Sequence, residues 1–194
     1  MTLPSYDKTK RRNTSFPQLP KGAYVLRILN AKEDTWQSGD PCIKIAFDIA
    51  EGEYMNFYKK IFENMKSEDK SWPFDAVFTL SVPTDKSKDY VWTNWNTFFA
   101  DLEDSNDGFV FKGDLKALKG RLIGGLFRIR QSEKNGNVYD HTEMYWSASV
   151  DDVRSGNYGR LPKDKLVTPS GSSAPGPDDF MYLPEDSDDE MPFK

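Results

Sequence analysis

Alternating apolar and polar side chains predict β-strands in the first third of the chain. Residues 23–29 are rich in β-forming side chains and are long enough for one strand. Residues 42–49 alternate strictly, which predicts a second strand with one apolar face. A third strand is predicted over residues 54–62, after a tight turn at residues 51–53. The apolar face of the second strand consists of Ile43, Ile45, Phe47 and Ile49.

The middle of the chain predicts helices less clearly. Residues 64–90 contain side chains typical of buried segments, but neither the helical nor the strand period dominates there. Thr93 is the predicted N-cap of a helix that runs to about Asp104. A short helix is expected near residues 114–118. The predicted core face of the longer helix consists of Trp95, Phe98, Phe99 and Leu102.

The last structured part of the chain predicts a β-hairpin. Strands are expected over residues 121–131 and 138–148. Between them lies Asn135-Gly136, which is the strongest short sequence signal for a hairpin turn. Residues 151–154 predict one helical turn, which ends at Gly156.

The order of these elements predicts the fold class. Three strands, a mixed or helical stretch and a two-strand hairpin give the connectivity of the OB-fold, a small, partly open Greek-key barrel. We therefore expect a mainly β protein with minor α content: an OB-fold-like five-stranded Greek-key barrel with a helix between strands 3 and 4 and a disordered C-terminal tail. Barrel closure is inferred because a five-stranded antiparallel sheet must protect its edges. A body of this length needs no metal or disulfide.

Composition divides the chain into four parts. Residues 1–15 are polar and basic without periodicity, which predicts a flexible N-terminal arm. Residues 16–159 form the predicted barrel. Residues 160–177 include a run rich in Pro, Gly and Ser, which is typical of a flexible linker. Residues 178–194 form an acidic tail, for which we expect a role in protein interaction.

Charge and composition narrow the class of protein. The chain has 194 residues, of which 37% are hydrophobic and 29% charged, with a net charge of −5. Residues 178–194 carry seven acidic residues and one basic residue, so the remainder has a net charge of +1. No apolar run approaches the roughly 18 residues of a membrane span, and no apolar segment near the N-terminus suggests a secretory signal. The single cysteine, Cys42, fits a reducing cytoplasm, where we expect the protein.

Motifs for catalysis are sparse. One cysteine and one histidine, His141, exclude a zinc site built from Cys and His ligands. A Cys42–His141 nucleophile pair would require both side chains to meet in a cleft, and ordinary strand positions are the simpler interpretation. Asp48, Glu51 and Glu53 could bind Mg²⁺ as in a nuclease, although a solvated turn explains the last two more simply. We therefore expect no enzymatic activity, no cofactor and no metal.

The aromatic side chains are more informative. Five Trp, nine Tyr and thirteen Phe exceed what the interior of a small barrel needs, and several stand beside cations. Single-stranded nucleic acid is bound by this combination, because rings stack on bases and cations neutralise phosphates. In an OB-fold the ligand crosses strands 2 and 3 and the loops after strands 1 and 4. For any single ring a place in the core remains more common, as for Phe57, Trp72, Trp95 and Trp146. The predicted DNA-binding residues are Trp36, Lys44, Phe57, Tyr58, Lys59, Lys60, Arg128, Arg130, Lys134 and Tyr139.

The end of the chain carries an acidic run that closes on an apolar tip. The tip consists of Asp188, Asp189, Glu190, Met191, Pro192 and Phe193. A plain acidic tail needs no Phe, whereas an exposed Phe beside carboxylates suits a partner's apolar pocket ringed by Arg or Lys. This tip closely resembles that of bacterial and phage single-stranded DNA-binding proteins, whose usual pattern is Asp-Asp-Asp-Ile-Pro-Phe. Residues 19–24 and 47–54 also resemble phage-encoded members of that family.

The resemblance implies a fold and partners. In that family an OB barrel coats single-stranded DNA, and the tip recruits replication, recombination and repair proteins and can cover the DNA groove when DNA is absent. The family usually ends on Phe, whereas Lys194 follows Phe193 here, so a partner's pocket must accommodate one more residue. Residues 10–15 weakly resemble the self-association arms of some phage proteins, although a solvated arm or a phosphate contact is the simpler interpretation.

We therefore predict a non-enzymatic, phage-encoded protein of the host cytoplasm that does not associate with membranes. It binds and protects single-stranded DNA without strong sequence preference during DNA replication and recombination. Through residues 188–193 it recruits replication and recombination proteins, and self-association is a further expectation. Two alternatives remain: a protein-interaction adaptor that does not bind DNA, and a Mg²⁺-dependent nuclease that uses Asp48, Glu51 and Glu53.

Overall fold

The computed structural model describes residues 17–66 and 70–167. This part of the chain is mainly β, with three α-helices and two short 3₁₀ turns. The predicted arm (residues 1–15), most of the predicted linker and the acidic tail (residues 178–194), with its tip at residues 188–193, lie outside the described residues.

The strands form one open sheet. They are β1 (Ala23–Thr35), β2 (Pro41–Ile49), β3 (Val77–Ser81), β4 (Leu122–Lys134) and β5 (Asn137–Ala148). The α-helices are α1 (Phe57–Asn64), α2 (Asp89–Asp104) and α3 (Val150–Ser155), and the 3₁₀ turns span Phe74–Ala76 and Leu115–Leu118. The sheet order is β3-β2-β1-β4-β5 with antiparallel neighbours, so β3 and β5 are the edge strands. In the described ranges no helix has the length and apolar character needed to cross a membrane.

Four of the five predicted strands are confirmed as β1, β2, β4 and β5. The alternation in β2 is confirmed as well, since its four predicted apolar side chains are all buried. The turn between β4 and β5 places Asn135 and Gly136 at φ 54° and 75°. Both residues of a two-residue hairpin turn of this type need positive φ, which is why Asn-Gly predicts it.

The helical predictions after residue 90 are also confirmed, with one shift. The long helix α2 lies between β3 and β4, but it begins at Asp89 rather than at Thr93. Thr93 therefore lies inside the helix, where its hydroxyl donates to the carbonyl of Asp89 (3.0 Å). The short turns near residues 114–118 and 151–154 are present, and α3 ends at Gly156 with φ 75°.

The predicted strand over residues 54–62 is wrong, because the chain forms α1 there and the third strand of the sheet is β3. Asp48 of β2 accounts for the difference. Its buried carboxylate accepts hydrogen bonds from the backbone N–H groups of Tyr58 (2.9 Å) and Lys59 (3.1 Å). The first N–H groups of a helix have no partner within the helix, so a carboxylate at this place favours helix formation.

The core lies between the sheet and the helices α1 and α2. Phe127 and Phe47 meet edge to face at its centre, with ring centroids 5.8 Å apart. From α2, Phe98, Phe99 and Leu102 are buried as predicted, and Trp95 packs against this core while remaining partly exposed. The hydrophobic contacts therefore fix α2 across the sheet.

Gly124 of β4 allows α3 to approach the sheet closely. A Cβ atom at this position would lie 2.6 Å from the Val153 side chain and 2.7 Å from the carbonyl oxygen of Ala148. Both distances are too short for real contacts, so a residue larger than glycine would displace α3. The predicted strand that contains Gly124 is confirmed as β4, and the glycine at this position permits α3 to pack closely on it.

Residues 160–167, which the sequence assigns to the linker, lie along β4. Lys165 donates its N–H to Ile129 (2.9 Å) and accepts the N–H of Gln131 (2.8 Å). Asp164 accepts the N–H of Ile129 (2.9 Å) and forms an ion pair with Lys21 (2.9 Å). These contacts cover the edge of β4 beyond the end of β1, so the described chain stays attached to the sheet through residue 165.

We expect Asp48→Ala to lower the free energy of unfolding by about 1–3 kcal/mol, because it leaves the N–H groups at the start of α1 without an acceptor. Urea unfolding measures the loss. Glu53→Ala, which removes an exposed carboxylate from the adjacent turn, serves as the control and should change the value by less than about 0.5 kcal/mol. Equal effects of the two substitutions would contradict the role of Asp48.

Candidate nucleic-acid interface

A cleft of about 480 Å³ opens between the two edge strands of the sheet. Residues of β3 and α2 form one wall, and residues of β4 and β5 form the other. The loop between β1 and β2 and the Phe74–Ala76 turn complete the rim. The aromatic side chains that line it are Trp36, Phe74, Phe78, Tyr90, Tyr145, Trp146 and the buried Phe98.

Three of these rings present a large surface to solvent. Trp36 is 43% exposed, Tyr90 60% and Phe74 77%. The indole Nε1 of Trp36 donates to the hydroxyl of Ser81 (3.1 Å), which fixes the ring at the end of β3. Exposed rings of this kind can each stack on a base, and stacking is worth about 1–3 kcal/mol per base.

Two arginines of β4 lie in the opposite wall and share one carboxylate. The Nε of Arg128 lies 3.1 Å from one oxygen of Glu143, and the Nε of Arg130 lies 2.6 Å from the other. The Arg128 guanidinium also stacks over the Tyr145 ring, 3.5 Å from its centroid. A guanidinium has five N–H donors, so the bond to Glu143 uses one of the five in each arginine. Glu143 therefore holds both arginines in place, and the remaining N–H groups of each guanidinium can donate to an anion.

The structure brings together three of the ten predicted DNA-binding residues in this cleft, namely Trp36, Arg128 and Arg130. Two more extend it. Lys134 lies on the same face of β4 as the arginines, and Tyr139 lies opposite Ser132 on that face of β5. Both side chains are exposed. The β4–β5 hairpin therefore continues the cleft outward with a cation and a ring.

The other predicted residues lie elsewhere. Lys44 of β2 forms an ion pair with Asp34 (2.8 Å) outside the cleft. Phe57, Tyr58, Lys59 and Lys60 are residues of α1, and none of them lines the cleft. Tyr58 is only 2% exposed and packs on Phe47 and Phe57. The exposed lysines are Lys59, which is 3.9 Å from Glu63, and Lys60.

Apart from the buried Phe98, which was predicted as a core residue, sequence reasoning missed five aromatic residues of the cleft. Phe74, Phe78 and Tyr90 lie in residues 64–90, where no period could be recognised. Tyr145 could have been found, because the Asn135-Gly136 turn pairs Arg128 with Glu143 and so places Tyr145 on the same face. Trp146, interpreted as a core residue, is only partly buried and lines the cleft.

Two of the three carboxylates of the nuclease alternative make structural contacts, and the third, Glu53, is exposed. Asp48 accepts backbone N–H groups at the start of α1. Glu51 accepts two hydrogen bonds from Arg154 (2.6 and 3.2 Å), which lower the pKa of its carboxyl. Within residues 17–66 and 70–167, no three His, Cys, Asp or Glu side chains are grouped as a metal site requires.

The two residues of the Cys–His alternative have different neighbours. Cys42 of β2 is buried and lies opposite Ser81, and burial raises the pKa of its thiol. The imidazole of His141, on β5, contacts Asp75 (3.4 Å) and Ser132 (3.0 Å). The contacts of His141 thus do not include the thiol.

Asp101 connects α2 to the β5 wall of the cleft. Its carboxylate accepts a hydrogen bond from the hydroxyl of Ser147 (2.5 Å). Burial is the main cause that raises the pKa of Asp101 to about 6; the hydrogen bond from Ser147 opposes this shift, and the nearby carboxylates of Asp104 and Asp152 add to it. The folded protein therefore binds the Asp101 proton more tightly than the unfolded chain does.

We expect Asp101→Asn to remove a pH dependence of stability. Wild-type stability should fall as pH rises from 3.8 through about 6, because the buried carboxyl of Asp101 then loses its proton. Asn keeps an acceptor for Ser147 without a charge, so the variant should be more stable than wild type at about pH 8 but not at about pH 4. Urea unfolding at both pH values measures this, with the exposed carboxylate variant Asp107→Asn as control. An equal difference in stability between Asp101→Asn and wild type at both pH values would contradict the role of Asp101.

Comparison with known proteins assigns no family to the chain. No protein-family model matches it, and no curated protein matches it. The function of the cleft must therefore be inferred from its own residues, which are exposed rings on separate elements and a fixed pair of arginines.

Proposed function

We propose that this protein binds single-stranded DNA without strong sequence preference, that it has no enzymatic activity, and that the strand lies in the cleft between β3 and β5. The observation that carries the proposal is the convergence of exposed rings and arginines from separate elements on one cleft. Trp36 and Phe74 lie at its rim, and Arg128 and Arg130 lie in the facing wall.

The strand order supports an OB-like barrel as the fold. In an OB-fold the ligand lies across strands 2 and 3, between the loop after strand 1 and the loop after strand 4. Here Trp36 belongs to the loop between β1 and β2, and Lys134 and Tyr139 belong to the β4–β5 hairpin. The helix α2 connects β3 to β4, as in that fold. The cleft thus shares strand 3 and the loop after strand 1 with that ligand position, whereas β2 contributes no residue to its lining.

The mechanism follows from the two kinds of side chain. Rings accept any base, because every base has a flat π-face. The arginines neutralise phosphates and release the counterions condensed on them, so affinity should fall as salt concentration rises. The protein would protect the strand because a strand held in the cleft is sterically blocked from its complement.

The acidic tail supports a second part of the proposal, recruitment. Residues 188–193 end in an apolar tip beside carboxylates, which suits an apolar pocket ringed by basic residues on a replication or recombination protein. The tail also carries the negative charge needed to compete weakly with DNA for Arg128 and Arg130. Lys194 follows Phe193, so the partner's pocket would have to be open beyond the ring.

Fluorescence anisotropy with a labelled oligo-dT of about 20 nucleotides tests the DNA proposal, since an OB-fold covers about 4–16 nucleotides. Wild-type protein should bind at about 50 mM NaCl and more weakly at about 200 mM. Trp36→Ala should weaken binding by about 5- to 150-fold, the equivalent of one stacked base, whereas Trp36→Phe keeps a ring and most of the affinity.

Trp92→Ala is the matched control for this experiment. Trp92 is 43% exposed like Trp36, but it lies on α2 outside the cleft. Its substitution should leave DNA affinity unchanged. No binding by the wild type at about 50 mM NaCl would rule out the function and favour the adaptor alternative. Equal losses for Trp36→Ala and Trp92→Ala would rule out the cleft as the site.

Removal of residues 178–194 tests the role of the tail. DNA affinity should stay equal or rise. The deleted segment contains seven acidic residues and one basic residue, so its net negative charge no longer competes with the phosphates for the arginines of the cleft. The gain should be larger at about 50 mM than at about 200 mM NaCl, since salt screens this competition. The same anisotropy titration measures it. Loss of DNA binding on truncation would contradict this model of the tail.

A further inference from the structure

The charged side chains that line the cleft balance each other. In the described chain they are two arginines and two carboxylates, namely Arg128, Arg130, Asp75 and Glu143. Protein cations drive the binding of a phosphate chain, because they release the counterions condensed on it. A cleft whose lining charges sum to zero gains little from this effect, so one further cation beside it would matter for binding.

His141 lies next to these four residues. It is directly opposite Arg130 in the pairing of β4 with β5, and Glu143 follows on the same face of β5. Directly opposed residues have Cβ atoms about 5 Å apart, so a phosphate bound to Arg130 would lie within electrostatic reach of the imidazole. The His141 side chain is 32% exposed, and the chain contains no other histidine.

The imidazole is placed to carry a proton. Its Nδ1 lies 3.4 Å from Oδ1 of Asp75, in the turn before β3, and its Nε2 lies 3.0 Å from the hydroxyl of Ser132 on β4. Both nitrogens of a protonated ring donate, so the positive ring would face the carboxylate while Ser132 accepts the other N–H. These groups interact electrostatically. Burial raises the pKa of the Asp75 carboxyl, and His141 and Arg130 oppose that shift.

The charged and titratable groups that face His141 belong to the cluster around the cleft wall. They are Arg128 and Arg130 of β4, Asp75 of the turn before β3, and Tyr139 and Glu143 of β5 itself. The strand β3 contains no ionisable side chain. The helix α2 brings Asp101 to Ser147, farther along β5. Protonation of His141 therefore changes the summed charge of the lining residues and the imidazole from zero to +1.

We propose that His141 is a proton-dependent cation of the cleft, which takes up a proton when single-stranded DNA binds and makes DNA affinity rise as pH falls. The inference rests on the proposed function and concerns the regulation of the same site. A histidine gains its charge between about pH 8 and pH 5. Coupling between two ligands is reciprocal, so a proton that favours phosphate binding is itself bound more tightly once the phosphate is in place.

Anisotropy titrations with oligo-dT at about pH 8 and about pH 6 test the inference. At about 50 mM NaCl wild type should bind about two- to fivefold more tightly at the lower pH, the equivalent of one partly exposed charge pair. His141→Gln stays polar but cannot be protonated, so it should bind equally at the two pH values. His141→Lys is charged at both and should lose the pH dependence as well, with an affinity above that of His141→Gln.

Asp101→Asn is the matched control. Asp101 also titrates in this range, since burial raises its pKa to about 6, but it lies on α2 and does not line the cleft. The variant should keep the two- to fivefold pH dependence of DNA affinity, although its stability changes with pH differently from that of wild type. The control thus separates charge in the cleft from stability of the fold.

Calorimetry measures the proton directly and needs no variant. Heats of oligo-dT binding at about pH 7, in two buffers of different ionisation enthalpy, give the number of protons taken up. Wild type should take up a measurable fraction of one proton per protein molecule, and His141→Gln should take up none.

The outcomes separate the inference from the function on which it rests. Equal wild-type affinity at both pH values without proton uptake would overturn the inference. A pH dependence that His141→Gln retains would overturn it too, because another group would then bind the proton. The proposed function would stand in both cases, provided that Trp36→Ala still weakens binding. No binding of oligo-dT by wild type at either pH would overturn both.

Discussion

β3 and β5 are edge strands that do not pair with each other, and the cleft lies between them. Paired edge strands would satisfy each other's backbone groups and leave no space for a ligand. Here α2 packs against both edge strands, which approach each other without pairing. Ser147 of β5 donates to Asp101 of α2, and His141 of β5 contacts Asp75 before β3, so side chains link the two sides of the cleft. The cleft is thus a consequence of incomplete closure, and its walls are the residues that closure would bury.

Under the proposed function, Glu143 would reconcile the near-neutral charge of the body with the binding of phosphates. Two guanidinium groups on neighbouring positions of one strand face repel each other, and the shared carboxylate offsets that repulsion in the free protein. It also holds Arg128 and Arg130 in fixed positions, so less side-chain entropy is lost when a phosphate binds. Local geometry therefore matters more for the cleft than the net charge of +1 outside the tail.

The elements that could be predicted from the sequence are those governed by local patterns. Alternation identified β2, and Asn135-Gly136 identified the β4–β5 hairpin. Residues 54–62 were wrongly predicted, because their helix depends on Asp48, a residue of the preceding strand whose carboxylate accepts the N–H of Tyr58. Residue types alone also could not tell which rings face the cleft, since burial of Tyr58 and exposure of Phe74 are set by tertiary packing. The sequence therefore led to a proposed kind of ligand, but not to the full set of residues that line the cleft.

The hairpin turn links local sequence to the geometry of the cleft. Positive φ at Asn135 and Gly136 permits a two-residue turn, and that turn fixes the register of β4 against β5. In this register Arg128 lies opposite Glu143, and Arg130 and Tyr145 share their face. A slip of one residue would move every side chain of one strand to the other face and separate the arginines from their carboxylate. Two residues at the far end of the hairpin therefore determine whether the wall of the cleft is cationic at all.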